Sequence, residues 1–447
     1  MNSTQNIIAK LLSNIGSRKE VEQYLRNYAN AGAPKLAVVK VSGSVLDLNI
    51  EDLASSLTFL QQVGLLPVVV HGGAPQLDRA LEAAGIDAPR IDGLRPMSPA
   101  VLEVARRVFY EANHTLVEAL EALGTRARPF TSGIFEAKVT QDQALGLVGE
   151  ITRVHDAPIV SAARGGYLPV VTPLGETPGG QIVVVHAHLA ARALALTMRP
   201  HKIVYLNQTG GLLDAHGRIR SAVNLAEDYD ELVGDPALPE DSRRRLGEIN
   251  AMLTELPPSA SVSITSPENL AKELFTHHGA GTLVRLGERV RRYASFDELD
   301  VPRLRALVEE CFGRRLHSAY FEKKRPSAIY VTDSYRAAAI ITLEGDVPYL
   351  DKFAVTPEAQ GEGLGGSIWQ RFRRDHAKLF WRARASNPIN AWYAQNADGL
   401  YKTDKWWVFW CGISAFPEIE KCVRCALDLP ATLEDPESVP PPKVSSP

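Results

Sequence analysis

The 447-residue sequence predicts an α/β protein, a three-layer αβα sandwich followed by a second, smaller α/β domain. Three observations predict it. From Lys35 on, short apolar runs alternate with amphipathic helical stretches, the pattern of sheet strands covered on both faces. Past residue 294, three apolar runs follow one another like consecutive antiparallel strands. The last of these, Val347–Val355, leads through Thr-Pro into a glycine-rich turn, Gln360-x-x-Gly363-x-Gly365-Gly366, before a helical segment. A strand, a Gly-rich loop and a helix start together present free backbone N–H groups at the positive end of a helix dipole, which suits a pyrophosphate.

In chain order, residues 4–31 read as a helical arm, with Ile7, Ile8, Leu11, Leu12 and Ile15 on one stripe. Leu36–Val41 reads as a strand, Ile50–Val63 as a helix, Pro67–Val70 as a strand and Pro75–Ala84 as a helix. Ile182–Val185 is a strand, Leu189–Thr197 a helix and His201–Leu206 a strand. The hydrophilic stretch Arg285–Ala294 marks a domain boundary. After it come a helix at Leu299–Glu310, strands at Ser327–Val331, Ala337–Leu343 and Val347–Val355, and a helix at Ser367–Arg374. The expected division is an arm at 1–31, domains at 32–286 and 287–430, and a Pro-rich, disordered tail at 431–447.

A net charge of −3 gives no reason to expect nucleic acid or an anionic membrane as partner. No apolar run approaches the roughly 20 residues that span a bilayer. The N-terminus lacks the basic-then-apolar order of a secretory signal, and four cysteines fit a reducing compartment, so a cytoplasmic protein is expected. Cys422-x-x-Cys425 has no second pair, and His186-x-His188 and His277-His278 have no further ligand at suggestive spacing, so no metal is expected.

Lys40-Val-Ser-Gly-Ser and His71-Gly72-Gly73-Ala-Pro-Gln each follow a predicted strand, where α/β sheets bind anions. With Asp92-Gly-Leu-Arg95 and Leu206-Asn-Gln-Thr-Gly-Gly-Leu-Leu-Asp214, they resemble the amino-acid kinase family, acetylglutamate kinases in particular, over residues 35–285. The resemblance implies that Gly72 and Gly73 hold an acylamino acid, Arg95 pairs its carboxylate and Lys40 faces the transferring phosphate. The family's Asn-x-Asn-x-Asp is replaced by Val184-Val-His186-Ala-His188, and no lysine occurs between Lys202 and Lys272. Phosphoryl transfer depends on placed charge, so an impaired kinase is expected. Arg245 restores charge without the same geometry. Lys272-Glu273-Leu-Phe-Thr-His-His-Gly279-Ala-Gly281-Thr282 resembles the arginine-sensitive members. It implies an allosteric L-arginine site at Glu273, Gly279, Gly281 and Thr282.

The second domain's motifs, Tyr349-Leu-Asp-Lys-Phe-Ala-Val, the Gln360–Gly366 turn, Trp381-Arg-Ala-Arg, Asn387-Pro-Ile-Asn-Ala-Trp-Tyr393 and Trp407-Val-Phe-Trp410, resemble GNAT acetyltransferases of the N-acetylglutamate synthase type. The chain thus resembles bacterial synthase/kinases related to the vertebrate synthase. The resemblance implies acetyl transfer from acetyl-CoA to the α-amine of L-glutamate. Lys352 and Arg382 would bind glutamate, with Arg384 a competitor on the same face. Tyr393 would be the general acid and Asn387 an orienting group. Phe353 and Val355 would pair the pantetheine arm, with Gln360, Gly361, Gly363, Gly365 and Gly366 at the pyrophosphate. ATP and magnesium enter only if the kinase site works, and a homotetramer is implied. Three functions stay open: a synthase with an arginine-sensing kinase-like domain, a bifunctional synthase/kinase, and a non-enzymatic regulator.

Overall fold

The computed structural model describes residues 35–91, 93–214, 216–275, 280–361 and 363–434. The arm expected at 1–31 and Gly279 lie outside them. The chain divides into two compact units between Leu286 and Gly287.

In the first unit an eight-stranded sheet has Lys35–Val41 near its middle, between Leu65–His71 and Lys202–Leu206, and both pairings are parallel. Val41 is level with His71 on one side and Leu206 on the other, so the loops after these three strands open at one sheet edge. The order reverses there, and that is where open α/β sheets form binding crevices. The strand is buried on both faces. Ala37, Val39 and Val41 pack with Leu57 and Leu116, while Val38 packs with Leu194, Ile203 and Ile249. This two-sided burial explains the unbroken Val-rich run in place of alternation.

The second unit is built on a seven-stranded sheet in the order Val290–Tyr293, Pro326–Thr332, Ala337–Glu344, Val347–Val355, Leu379–Arg384, Trp406–Cys411, Gly399–Lys402. The hydrophilic boundary stretch therefore contains a strand. Val290–Tyr293 pairs antiparallel with Pro326–Thr332 at the sheet edge, where Arg291 and Arg292 stay exposed. Charged side chains are common on an edge strand, and they hid it from the sequence pattern.

Two irregularities shape this sheet. Val347–Val355 and Leu379–Arg384 run parallel but pair only at Tyr349 and Phe380, then splay. On its other side, Val347–Val355 shifts register: Ile341 faces Leu350 and Ile340 faces Lys352, leaving Asp351 as an extra, bulged residue. Asp351 and Lys352 consequently share a side instead of alternating. The Tyr320 hydroxyl lies 2.5 Å from Asp351 Oδ2, and the Lys352 ammonium sits 5.0 Å from the Tyr320 ring centroid. Leu350 and Val355 pack into the opposite layer with Ile368 and Trp381, with Phe353 against them.

Order continues past residue 431, where the disordered tail was expected to begin. Leu433 forms a β-bridge with Leu316, His317 N donates to Thr432 O, and Glu434 N donates to Arg315 O. One apolar anchor, Leu433, outweighs the polar, Pro-rich composition that follows it. Residues 435–447 lie outside the described ones.

Candidate active site

The splay in the second unit opens a cavity of 830 Å³. It is lined at once by Gln360, Gly365 and Gly366, by Asn387 and Tyr393, and by Lys352 and Arg382, with Phe353 and Val355 along its wall. Residues as far apart in sequence as Cys311 and Leu433 line it, and the divergence of the parallel strands beyond Tyr349 opens the space between them.

At one end the Leu364–Asp375 helix starts after Gly363, whose φ of +80° is a left-handed conformation that favours glycine. The first amides of this helix have no intrahelical partner. A Cβ at Gly366 would meet nothing within 4 Å, and one at Gly365 would make only ordinary contacts with Val355 and Phe353. Gln360 Nε2 donates to Val355 O at 3.1 Å. The Gln360 side chain therefore holds the turn against the strand end, and the Val355 carbonyl expected for pantetheine is occupied.

At the other end Lys352 is 3 % exposed. Its Nζ donates to Asp351 Oδ2 at 2.6 Å, Asp351 O at 3.1 Å and Thr432 Oγ1 at 2.6 Å. Burial alone would push the Asp351 carboxyl up, but Lys352, Lys324 and Tyr320 outweigh it and hold the group below the usual carboxylate range. Arg382, expected to bind glutamate, is held by the chain itself. Its Nη1 donates to Ala426 O at 2.6 Å and Leu427 O at 3.5 Å, and its Nη2 to Pro430 O at 3.1 Å. The Ala426 and Leu427 carbonyls end the Phe416–Asp428 helix, where a cation complements the helix dipole. Trp406 stacks 4.2 Å from the Arg382 guanidinium carbon, with Arg384 5.9 Å from the same ring.

Tyr393 lies on the short Asn390–Asn396 helix, its ring packed against Trp381 and Phe409 with both centroids at 5.5 Å. No described residue hydrogen-bonds its hydroxyl, and burial pushes the phenol pKa up, so it stays protonated. Asn387 Oδ1 accepts from Ile389 N at 3.2 Å, fixing the turn before that helix. Buried Asn390 braces the same turn by donating to Arg384 O and Ala385 O.

In the first unit, Lys40 is buried at the sheet edge described above. Burial, followed by the Arg245 charge, lowers its pKa to about 7, while Asp241 acts in the opposite direction. Asp241 lies 2.7 Å from Arg245 Nη2 and 3.8 Å from His188 Nε2. Burial brings His186 down to about 4, and His188 well below its usual value, so both rings are neutral. Asp241 was not foreseen, although an acid four residues before Arg245 on one helix is a readable signal. Gly73 must lack a side chain, since a Cβ there would sit 2.8 Å from the Phe109 ring. Gly72 N donates to Val41 O, tying the loop to the strand. Arg95, expected to meet a substrate carboxylate, is engaged by Asp78 and by Ala88 O.

In the predicted arginine motif, Glu273 Oε2 accepts from Ala280 N at 2.8 Å and Gly281 N at 3.1 Å, so one carboxylate oxygen is spent on the loop instead of a guanidinium. Thr282 Oγ1 is buried and accepts from Leu212 N. A Cβ at Gly281 would lie 2.2 Å from Ile264 O. Gly281→Ala is therefore expected to destabilise the first unit by about 1–3 kcal/mol, the usual cost of overpacking, in a urea titration. An unchanged midpoint would refute the steric reading.

Residues 35–239 match the amino acid kinase family, and residues 291–428 match the N-acetyltransferase of N-acetylglutamate synthase. The chain is 48 % identical over 425 residues to an acetylglutamate kinase of Xanthomonas campestris pv. campestris, covering 94 % of this chain and 100 % of that protein. It is 33 % identical over 431 residues to the human mitochondrial N-acetylglutamate synthase, covering 95 % of this chain and 77 % of that one. In fold it is similar to N-acetylglutamate synthase from Neisseria gonorrhoeae, solved with coenzyme A and N-acetyl-glutamate, with a TM-score of 0.64 at 22 % identity over 88 % of this chain and 98 % of that one. The chain belongs to the family of acetylglutamate kinases and N-acetylglutamate synthases in which an amino-acid kinase domain is followed by an N-acetyltransferase domain.

Proposed function

We propose that the chain is an N-acetylglutamate synthase that moves acetyl from acetyl-CoA to the α-amine of L-glutamate. The observation that carries this is one cavity joining a glycine-lined helix start, a neutral phenol and two cations. Acetyl-CoA would supply the activated acyl group. The amides after Gly363 fit its pyrophosphate, and the strand edge beyond Tyr349, facing the splay, fits its pantetheine arm. Lys352 and Arg382, with Arg384 two residues on, supply positive charge for the two carboxylates of glutamate. Tyr393, its hydroxyl kept protonated by burial, would give its proton to the departing sulfur. The test follows CoA release from acetyl-CoA with L-glutamate, with and without L-arginine. Release that depends on glutamate supports the reading, and its absence overturns it. Glu273, with Gly281 and Thr282, remains our candidate for sensing arginine, in a cytoplasmic homo-oligomer.

A second reading adds phosphorylation of N-acetyl-L-glutamate by ATP and magnesium. It is favoured by Asp241, a carboxylate beside Lys40, Arg245 and His188 where the family's usual acid is missing. With its pKa near 7, Lys40 loses its charge as pH rises through neutrality, so ADP formation should fall over that range. Asp241→Asn removes the group that raises the Lys40 pKa. It is expected to cut ADP formation at least roughly 100-fold while sparing CoA release. Equal ADP formation by both proteins would eliminate Asp241 from this role.

A further inference from the structure

The strand-like strap after the last helix, residues 429–434, forms one wall of the cavity: Leu429, Pro430, Ala431, Thr432 and Leu433 all line it. Its backbone is fastened by residues 314–317. Arg314 Nε donates to Glu434 O at 2.8 Å and Arg314 Nη2 to Leu433 O at 3.2 Å, alongside the His317–Thr432 and Glu434–Arg315 bonds. Only the Thr432 side chain reaches across to a cation of the site, and its oxygen lies 2.6 Å from Lys352 Nζ.

That contact fixes the direction of the hydroxyl. An ammonium can only donate, so Thr432 Oγ1 accepts and its own proton is left over. No described residue accepts that proton. Lys352 has meanwhile assigned its three N–H groups to Asp351 Oδ2, Asp351 O and Thr432 Oγ1. Arg382 has likewise placed donors on three main-chain carbonyls, one of them Pro430 O on the strap. A dicarboxylic amino acid entering the cavity therefore meets Lys352 with all three N–H groups assigned and Arg382 with three of its five donors already on main-chain carbonyls. Beside them is one hydroxyl, polarised by the Lys352 charge, with a proton to give.

The geometry points to Thr432 as a substrate-binding residue: its hydroxyl donates to a carboxylate of the amino-acid acceptor while accepting from Lys352. The strap thereby sets which amino acid the cleft takes. This rests on the synthase reading above, and it adds a neutral donor, relaying positive charge, to the two cations.

The test uses the full chain and its Thr432→Val and Thr432→Ser variants. CoA release is measured with glutamate varied at saturating acetyl-CoA, and the reverse. Thr432→Val is expected to raise the KM for L-glutamate about tenfold or more, the usual effect of losing a hydrogen bond to a charged group. The KM for acetyl-CoA should stay within about twofold, and Thr432→Ser should restore glutamate KM to within about threefold of wild type. If Thr432→Val fails to fold, Thr432→Ala replaces it in the same comparison. An unchanged glutamate KM, a parallel rise in both KM values, or failure of serine to restore binding would each overturn the role of Thr432. A wild type that releases no CoA with L-glutamate overturns both this role and the synthase reading. An active wild type with an unaltered valine variant overturns only the former.

Discussion

Tyr393→Phe is expected to lower kcat for acetyl transfer by about 100- to 1000-fold while leaving both KM values within about threefold, because what it removes acts only as the carbon–sulfur bond breaks. The variant is unusually clean on structural grounds. The ring is locked among Trp381, Trp369 and Phe409, and phenylalanine keeps those contacts. The hydroxyl has no partner to orphan among the described residues, so stability should change by less than about 1 kcal/mol. Burial holds the phenol protonated well above neutrality, so wild-type kcat should show no loss on the alkaline side until high pH. A variant with kcat within twofold of wild type would assign protonation of the thiolate to water or to another group.

Lys352→Met is expected to destabilise the second unit by about 3–5 kcal/mol and to raise the glutamate KM, because it strands a buried carboxylate. The Lys352 and Asp351 side chains are 4 % and 5 % exposed and lie 2.6 Å apart. After the substitution Asp351 keeps only the Tyr320 hydroxyl and Lys324, the latter at 3.6 Å. Adding Asp351→Asn should recover part of the loss, since no net charge then stays buried. The pH dependence follows from the Asp351 carboxyl being held low in the fold. Its contribution is complete above the unfolded carboxyl value of about 4 and is lost as pH falls through the lower folded value. The stability gap between wild type and Asp351→Asn should therefore shrink below about pH 4. Urea titrations at several pH values would measure this, and a Lys352→Met protein as stable as wild type would show that Asp351 draws its support elsewhere.

Much of this was legible in the sequence, for identifiable reasons. Strands such as Leu36–Val41 are buried on both faces and announce themselves as unbroken apolar runs, and the glycine turn after Val355 carries its own spacing. Lys352, Asn387 and Tyr393 were named from motifs, and the fold gathers them in one cavity. What escaped has a common physical cause, which is that hydrogen-bond partners belong to tertiary structure. Arg382 looked like a free fork, yet its partners are carbonyls some 44 to 48 residues downstream. Arg95 and Glu273 were read as ligand-facing charges, and each is tied to nearby chain. Asp241 lies within the stretch between Lys202 and Lys272, which was read for a missing cation and not for an acid. Thr432 was hidden because the composition of a Pro-rich tail masks one anchoring leucine. The strand Val290–Tyr293 was missed because an edge strand has little need of apolar residues.

The extra residue at Asp351 has a consequence for how this cleft can change over time. Neighbouring residues in a regular strand point to opposite sides, so a lysine there must find its counter-ion on some other part of the chain. Here the strand carries cation and anion together, as a neutral pair inserted at one point. Deleting Asp351 would let every later side chain keep its side of the sheet, but would leave the ammonium alone in the interior. The pair therefore stands or falls with the irregularity that creates it. The surrounding helix and strap are free to diversify, trading hydroxyls and carbonyls as substrates change, because neither has to neutralise the charge at the centre.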